Sequence, residues 1–167
     1  MTLDRGYSVN LAKPIEGITS VCIPENVYIV ATMNTSDRNI AFLDLAIRRR
    51  FAFIPLLPNY DFLSEEVIYE NIDFGNVLRT INQRIVDTLQ DQELVLGQSY
   101  FIPQKAENGY RWSAEQLKNQ FNFVLLPTLR EYSFDNTGAV NAIVGETLAD
   151  GIQETEDFIE AFTAEFA

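Results

Sequence analysis

The sequence lacks histidine and has a single cysteine, Cys22, and these two shortages exclude several kinds of site from the chain. Without histidine there is no His-based catalytic triad, no zinc–histidine centre and no imidazole proton shuttle. One cysteine cannot form a disulfide within the chain, and we interpret Cys22 as a small core residue rather than a nucleophile. We assign no metal ligand.

The chain also lacks the two motifs by which P-loop enzymes hold and hydrolyse a nucleoside triphosphate. A P-loop reads G-x-x-x-x-G-K-[S/T], and its backbone amides and lysine hold the phosphates. No glycine here is followed by lysine, and no Asp-Glu pair ends an apolar strand, where magnesium binding and water activation would require one. We therefore expect these 167 residues alone to hydrolyse no nucleotide.

Long apolar runs are missing, and basic residues are missing after position 130. Because no run approaches a membrane span and the amino terminus has no signal-peptide pattern, we expect a cytoplasmic protein that does not enter a membrane. Residues 61–167 carry six basic and nineteen acidic side chains, and no basic residue follows Arg130. This part should repel phosphates, so we expect no direct DNA binding. We interpret the acidic run as a solvated helix face in preference to a docking site for a basic partner.

What is present is an ordinary globular composition, 47% hydrophobic and 22% charged, with enough residues for a sizeable core. The most informative stretch is Val27–Phe53. Its first five residues, Val27–Ala31, form a continuous apolar run that predicts a strand buried on both faces. Asn34 follows just beyond the carboxyl end of that strand, where ligands bind in open α/β sheets.

The rest of this stretch predicts a helix and a second strand. Ser36 or Asp37 can cap the helix, and apolar residues from Ile40 to Ile47 give it one buried stripe. The helix ends in three arginines, 48–50, and residues 51–57 are typical of another buried strand. An apolar strand, a polar turn and an arginine-ended helix in this order suggest half of a nucleotide-hydrolysing site.

Three segments carry a family resemblance. Residues 23–56, IPENVYIVATMNTSDRNIAFLDLAIRRRFAFIPL, resemble the sensor-1 and arginine-finger region of McrB-type AAA+ motors, the GTP-driven subunits of modified-cytosine restriction systems. LGQSYF, residues 96–101, resembles the lid signature of that family, and LLPTLREYSFD, residues 125–135, resembles its last lid helix. The segments follow one another in the order of the family and span most of the chain.

The resemblance implies an α/β plus α fold, in which residues 1–58 are the last part of an AAA+ (ASCE) core and residues 59–167 are a small helical lid domain. Proline and asparagine at Pro58-Asn59 interrupt the apolar pattern at that boundary. In the family the P-loop and the magnesium-binding strand lie upstream of sensor 1, so we expect the chain to be the carboxyl-terminal portion of a motor.

Beyond residue 59 the pattern predicts the following features: a helix through Val77–Leu89, a turn at Gly97, a helix capped by Ser113 that Pro127 breaks or kinks, and helices over Ala139–Leu148 and Thr155–Phe166.

The resemblance also implies roles for residues of the first part. Asn34 matches sensor 1, whose amide senses the terminal phosphate and orients the attacking water; otherwise it only satisfies a turn. Asp37 would assist at the nucleotide or simply cap the helix. A further alternative comes from the Asn34-x-x-Asp37 spacing, by which the two residues would imitate the guanine-reading asparagine and aspartate of small GTPases. Arg38 would face a subunit interface or bind a local carboxylate. Arg48 and Arg49 match the arginine finger donated across a subunit boundary, although arginines there also offset the helix dipole by about 0.3–1 kcal/mol each.

In the lid signature, Ser99 and Tyr100 would contact the nucleotide or belong to a hinge. For the complete machine, the resemblance implies a ring, expected to be hexameric, with GTP or ATP and Mg²⁺ at subunit boundaries and a nuclease subunit coupled to turnover. The P-loop would come from a missing amino-terminal half or from other motor subunits. Two alternatives stay open: a non-catalytic protein that docks on an intact AAA+ motor and regulates it, and a gene remnant or expressed fragment with no separate role.

Overall fold

The computed structural model describes residues 6–33 and 49–167. The chain separates into two compact units, Met1–Pro55 and Leu56–Ala167. This division lies close to the predicted domain boundary at residues 58 and 59, although the assignment of the first unit to a nucleotide-hydrolase core remains a prediction. Within the described ranges, no helix is both long enough and apolar enough to span a membrane.

The first unit contains a β-hairpin that the sequence analysis did not predict. Strands β1 (Ser8–Ile15) and β2 (Ile18–Cys22) pair antiparallel, with Ile15 opposite Ile18 and an irregular register between Asn10 and Ile15. The two residues between the strands, Glu16 and Gly17, both have positive φ, 49° and 84°. A two-residue loop with positive φ at both positions follows the right-handed twist of its strands, so this turn closes the hairpin tightly.

Three predictions for the first sixty residues are wrong. Val27–Ala31 and residues 51–57 form no strand, and both runs are open to solvent, with Val30 93% and Leu56 91% exposed. Cys22 is exposed on β2 and is not a core residue. A doubly buried strand needs neighbouring strands and covering helices. Among the described residues before Tyr60, the strands present are those of the β1–β2 hairpin, which pair with each other.

The second unit is mainly helical and has one small sheet. The sheet places β3 (Val67–Ile68) parallel to β5 (Gly109–Arg111), which pairs antiparallel with β4 (Lys105–Ala106). Short 3₁₀ turns cover Gln92–Leu94 and Gln98–Phe101. The α-helices are α1 (Tyr60–Glu66), α2 (Phe74–Leu89), α3 (Ala114–Gln120), α4 (Leu126–Tyr132), α5 (Thr137–Val144), α6 (Glu146–Ala149) and α7 (Thr155–Phe166).

Helix α2 is the centre of this unit and confirms the predicted helix through Val77–Leu89. Its amino end is capped by Asp73, whose carboxylate accepts a hydrogen bond from the Asn76 amide. Val77, Ile81 and Ile85 recur every four residues and are fully buried, so one face of the helix lies in the core. The helix ends at Gln90, which adopts a left-handed conformation with φ of 54°.

Helices α3 and α4 are joined without a break by a π-helical segment, Phe121–Leu125. Ser113 caps α3 as predicted and forms a capping box with Gln116. Pro127 has no N–H to donate to a carbonyl four residues earlier. The helix widens just before it, since the Leu126 amide bonds to the Phe121 carbonyl five residues back. The predicted break or kink at Pro127 therefore takes the form of a π segment.

The carboxyl-terminal helices were predicted unevenly. Helix α7 spans Thr155–Phe166 as expected. The single helix expected over Ala139–Leu148 is instead two, α5 and α6, because Gly145 between them has a φ of 86° that no helix accommodates. Gly145 also lies where an added Cβ would overlap the Glu165 carboxylate of α7. Helix α1 and the β4–β5 hairpin were not predicted.

Aromatic packing and one arginine attach α7 to the rest of the unit. Phe121, Phe158 and Phe162 are buried with ring centroids 5.5–5.9 Å apart. From α2, the Arg84 guanidinium donates to the Glu165 carboxylate at 2.6 Å and to the Ile143 carbonyl at 3.2 Å. Helices α2, α5 and α7 are therefore joined by both apolar and charged contacts.

Replacement of Phe162 with alanine should lower the free energy of unfolding by about 3–5 kcal/mol, because a fully buried ring is lost and a cavity remains. Urea denaturation of the 167-residue chain measures the change. Phe123→Ala is the matched control, since Phe123 belongs to the same unit but is 66% exposed. Equal losses for both variants would contradict the assignment of Phe162 to the core.

A second prediction concerns Asp73. Burial opposes ionisation of this carboxyl, but hydrogen bonds from the Ser64 hydroxyl at 2.6 Å and from the Asn76 and Gly75 amides, with the charge of Arg79, lower its pKa below the ordinary value. A carboxyl with a lowered folded-state pKa stabilises the fold above its unfolded-state pKa, near pH 4, and loses that contribution as pH falls through the folded-state value.

Asp73→Ala should therefore cost about 1 kcal/mol at pH 7, as the loss of a helix cap usually does. Asp73→Asn is the control, because asparagine caps a helix but does not ionise. The difference in unfolding free energy between the original chain and Asp73→Asn, followed from pH 7 to pH 3, should shrink on acidification below about pH 4. A difference that stays constant with pH would show that the charge contributes nothing.

Candidate functional site

The predicted site residues fall into two groups. Asn34, Asp37, Arg38 and Arg48 lie outside the described residues, so their predicted roles remain predictions. Arg49 is described, and it is exposed in a turn of the first unit. The lid signature residues Ser99 and Tyr100 belong to the second unit, in the 3₁₀ turn Gln98–Phe101. The signature loop, defined here as Leu96–Phe101, is therefore the candidate site that the geometry describes in detail.

Asn82 holds the beginning of the signature loop. This side chain projects from α2 and is 3% exposed. The Leu96 amide donates to Asn82 Oδ1 at 2.7 Å, and Asn82 Nδ2 donates to the Leu96 carbonyl at 2.9 Å. Both polar backbone groups of Leu96 are thus satisfied by one amide. Asn82 Nδ2 also donates to the Tyr60 hydroxyl at 3.1 Å, which connects the same amide to α1.

The end of the loop is held by two other side chains. Trp112 donates its indole N–H to the Phe101 carbonyl at 3.1 Å, and Gln120 donates its side-chain amide to the Tyr100 carbonyl at 3.0 Å. The Phe101 ring is buried and packs against Phe74 with centroids 5.8 Å apart. The backbone around Tyr100 is therefore attached to the core on the carboxyl-terminal side as well.

The middle of the loop contacts the start of the lid. The Asn59 amide donates to Gln98 Oε1 at 3.2 Å, while the Asn59 side chain caps α1 by accepting from the Phe62 amide at 3.1 Å. Helix α1 can approach α2 closely because α2 has a glycine there, Gly75, where a Cβ would overlap the Tyr60 carbonyl and the Ser64 hydroxyl. The residues that begin the lid and the signature loop are thus neighbours.

This arrangement leaves one residue of the loop open to solvent on a fixed backbone. Ser99 is exposed and Tyr100 is half-buried, between anchors at Leu96 and Phe101. A hydroxyl and a phenol on such a loop can donate and accept hydrogen bonds to a ligand. Neither side chain is arranged for metal binding, and the described residues contain no group of three or more histidine, cysteine, aspartate or glutamate side chains that could hold a metal ion.

Sequence reasoning found the signature loop but missed the residues that hold it. Asn82 lies within the buried face of α2, between Leu78 and Ile85, and this polar residue in an apolar stripe was a signal that could have been used. Trp112 and Gln120 gave no comparable signal. Their partners are backbone carbonyls of the loop, and a carbonyl carries no residue-specific pattern in the sequence.

Comparisons with known proteins agree on the lid. The family model for the McrB alpha-helical lid domain matches residues 73–141, which run from the Asp73 cap of α2 through the signature loop and α4 into α5. The chain is also 34% identical over 126 residues to the type IV methyl-directed restriction enzyme EcoKMcrB subunit of Escherichia coli (strain K12).

That alignment covers 68% of this chain and 27% of the E. coli protein, so the chain spans about a quarter of the length of the curated relative it matches. The family match coincides with the elements that build and hold the signature loop, including α2 with Asn82 and α3 with Gln120. The chain is therefore of the McrB type, and residues 73–141 are its alpha-helical lid domain.

Proposed function

We propose that the chain is part of an McrB-like AAA+ NTPase motor of a DNA restriction system. The observation that supports this most is the signature loop, held at one end by the buried Asn82 and at the other by the half-buried Trp112, within a domain that matches the McrB lid. In this proposal residues 59–167 are the lid, and the first 58 residues are the last part of an AAA+ core. GTP or ATP with Mg²⁺ is the ligand of the assembled site.

The lid would contact the nucleotide through Ser99 and Tyr100. A hydroxyl and a phenol suit hydrogen bonding to a ribose, a base or a phosphate. Their backbone is held by Asn82 and Gln120, so contact with a nucleotide would require little ordering of the loop.

The first part of the chain would supply the residues that act on the terminal phosphate. Asn34 would orient the attacking water as sensor 1, and Asp37 and Arg38 would lie near the nucleotide or the subunit boundary. Arg48 and Arg49 would reach the phosphates of a neighbouring subunit, where a guanidinium stabilises charge on the transferring group. Mg²⁺ would supply positive charge that offsets the negative charge developing on the phosphates.

The P-loop would have to come from outside these 167 residues, because they contain none. The P-loop and the acidic magnesium site would come from an amino-terminal half or from other motor subunits in a ring, and a nuclease subunit would use the turnover. The chain itself would not bind DNA, since residues 61–167 carry an excess of acidic side chains. On its own it would be inactive.

A co-assembly assay tests the proposal. The chain is mixed with a P-loop-bearing McrB-type polypeptide that lacks its own lid, and phosphate release from GTP and from ATP is measured. Turnover that requires both components is expected. Intact McrB-type protein serves as the second arm: if the chain lowers its turnover and the mixture with the lidless polypeptide stays inactive, the chain is instead a regulator that docks on an intact motor.

Arg49→Ala should reduce turnover of the assembled mixture by a factor on the order of a thousand or more, because charge on the transferred phosphoryl group loses its guanidinium. Arg49 is exposed, so the variant should unfold at the same urea concentration as the original chain. Arg111→Ala is the matched control, an exposed arginine on β5 of the lid. Turnover that is the same in both variants would remove the finger assignment.

A further inference from the structure

The buried face of α2 contains one polar side chain, Asn82, and burying a polar group costs free energy. Leu78, Ile81 and Ile85 around Asn82 are fully buried, and a leucine at position 82 would match their character. Burying an amide is unfavourable unless its donors and acceptor are paired. Both polar atoms of the Asn82 side chain are paired, since Oδ1 accepts one hydrogen bond and Nδ2 donates two. Asn82 therefore contributes specific geometry rather than apolar burial.

The hydrogen bonds of Asn82 to the signature loop reach one residue, Leu96. Asn82 bonds both the N–H and the carbonyl of Leu96, as a neighbouring strand would, and this restricts the backbone at Leu96. The next residue is Gly97, which by itself restricts the chain least. Asn82 therefore fixes the backbone where the loop begins, three residues before the exposed Ser99, while Trp112 and Gln120 hold its other end.

The third bond of Asn82 links the loop to the start of the lid. Tyr60 is the first residue of α1, its hydroxyl accepts from Asn82, and the Arg79 guanidinium lies 4.8 Å from the centroid of its ring. An independent bond, from the Asn59 amide to Gln98, joins the same two regions. The loop and the residues by which the chain enters the lid are thus tied at two points.

We propose that Asn82 is the positioning residue of the signature loop: it holds the loop in the conformation that binds nucleotide and couples it to Tyr60 at the start of the lid. This inference rests on the proposed function, in which Ser99 and Tyr100 contact the nucleotide. Asn82 itself touches no ligand. It acts by pre-organising the loop, so its loss weakens nucleotide binding without changing the reacting groups.

The first measurement follows amide hydrogen exchange in the 167-residue chain. Asn82→Leu removes all three bonds, Tyr60→Phe removes only the link to α1, and Gln83→Leu is the control on the exposed face of the same helix. In Asn82→Leu the amides of residues 96–102 should exchange at least about tenfold faster, with α7 unchanged relative to the control. Equal acceleration throughout the lid would overturn the proposal, because Asn82 would then be only a core residue.

The second measurement uses the co-assembled mixture. Asn82→Leu should raise the apparent KM for nucleotide about tenfold while kcat stays within about twofold, the result expected when binding alone is weakened. A fall in kcat with KM unchanged would overturn the positioning role. If the original chain supports no turnover in the mixture, the proposed function fails and the nucleotide role of the loop fails with it, whereas the exchange rates still decide whether Asn82 holds the loop.

A conservative variant keeps the test valid if Asn82→Leu does not fold. Asn82→Asp preserves size and the acceptor for the Leu96 amide, but a carboxylate has no donor for the Leu96 carbonyl. Burial raises the pKa of such a carboxyl, so moderate acidification would restore a donor. Loop exchange relative to α7 exchange should therefore be fast at pH 8 and approach that of the original chain near pH 5. A ratio that does not depend on pH would contradict the role of the Nδ2 donor.

Discussion

The hydrogen bonds between the buried amide of Asn82 and the backbone of Leu96 are the constraint on which the signature loop depends. They attach a segment without regular α or β structure to the central helix at a point where neither helix nor sheet would hold it. A buried polar group stabilises one arrangement in particular, because any other arrangement leaves it unpaired. The beginning of the signature loop is accordingly held by a side chain that lies outside the loop.

Around this constraint the lid forms a core of its own. Helix α2 contributes the apolar stripe, and the buried phenylalanines of α7 belong to the same core. Arg84 joins α2 to both α5 and α7. A unit held in this way can act as one body that presents Ser99 and Tyr100 to a ligand.

Prediction from the sequence succeeded where structure is local. Helix α7 and the helix cap at Ser113 follow from apolar periodicity and from the residue type at the start of a helix, and both predictions are confirmed. It failed where the outcome depends on distant partners. Val27–Ala31 has the composition of a buried strand, yet it forms none. Gly145 divides a predicted helix because a positive φ is available to glycine at little cost, a choice that apolar periodicity does not reveal.

The sequence by itself determined that the chain has no histidine chemistry and no P-loop, that its lid resembles McrB, and where most of the lid helices lie. Only the tertiary structure decided how the signature loop is held. The bond from Asn82 joins residues 14 positions apart and the bond from Asn59 to Gln98 joins residues 39 positions apart. Such pairs leave no short-range pattern, because tertiary packing brings their partners together.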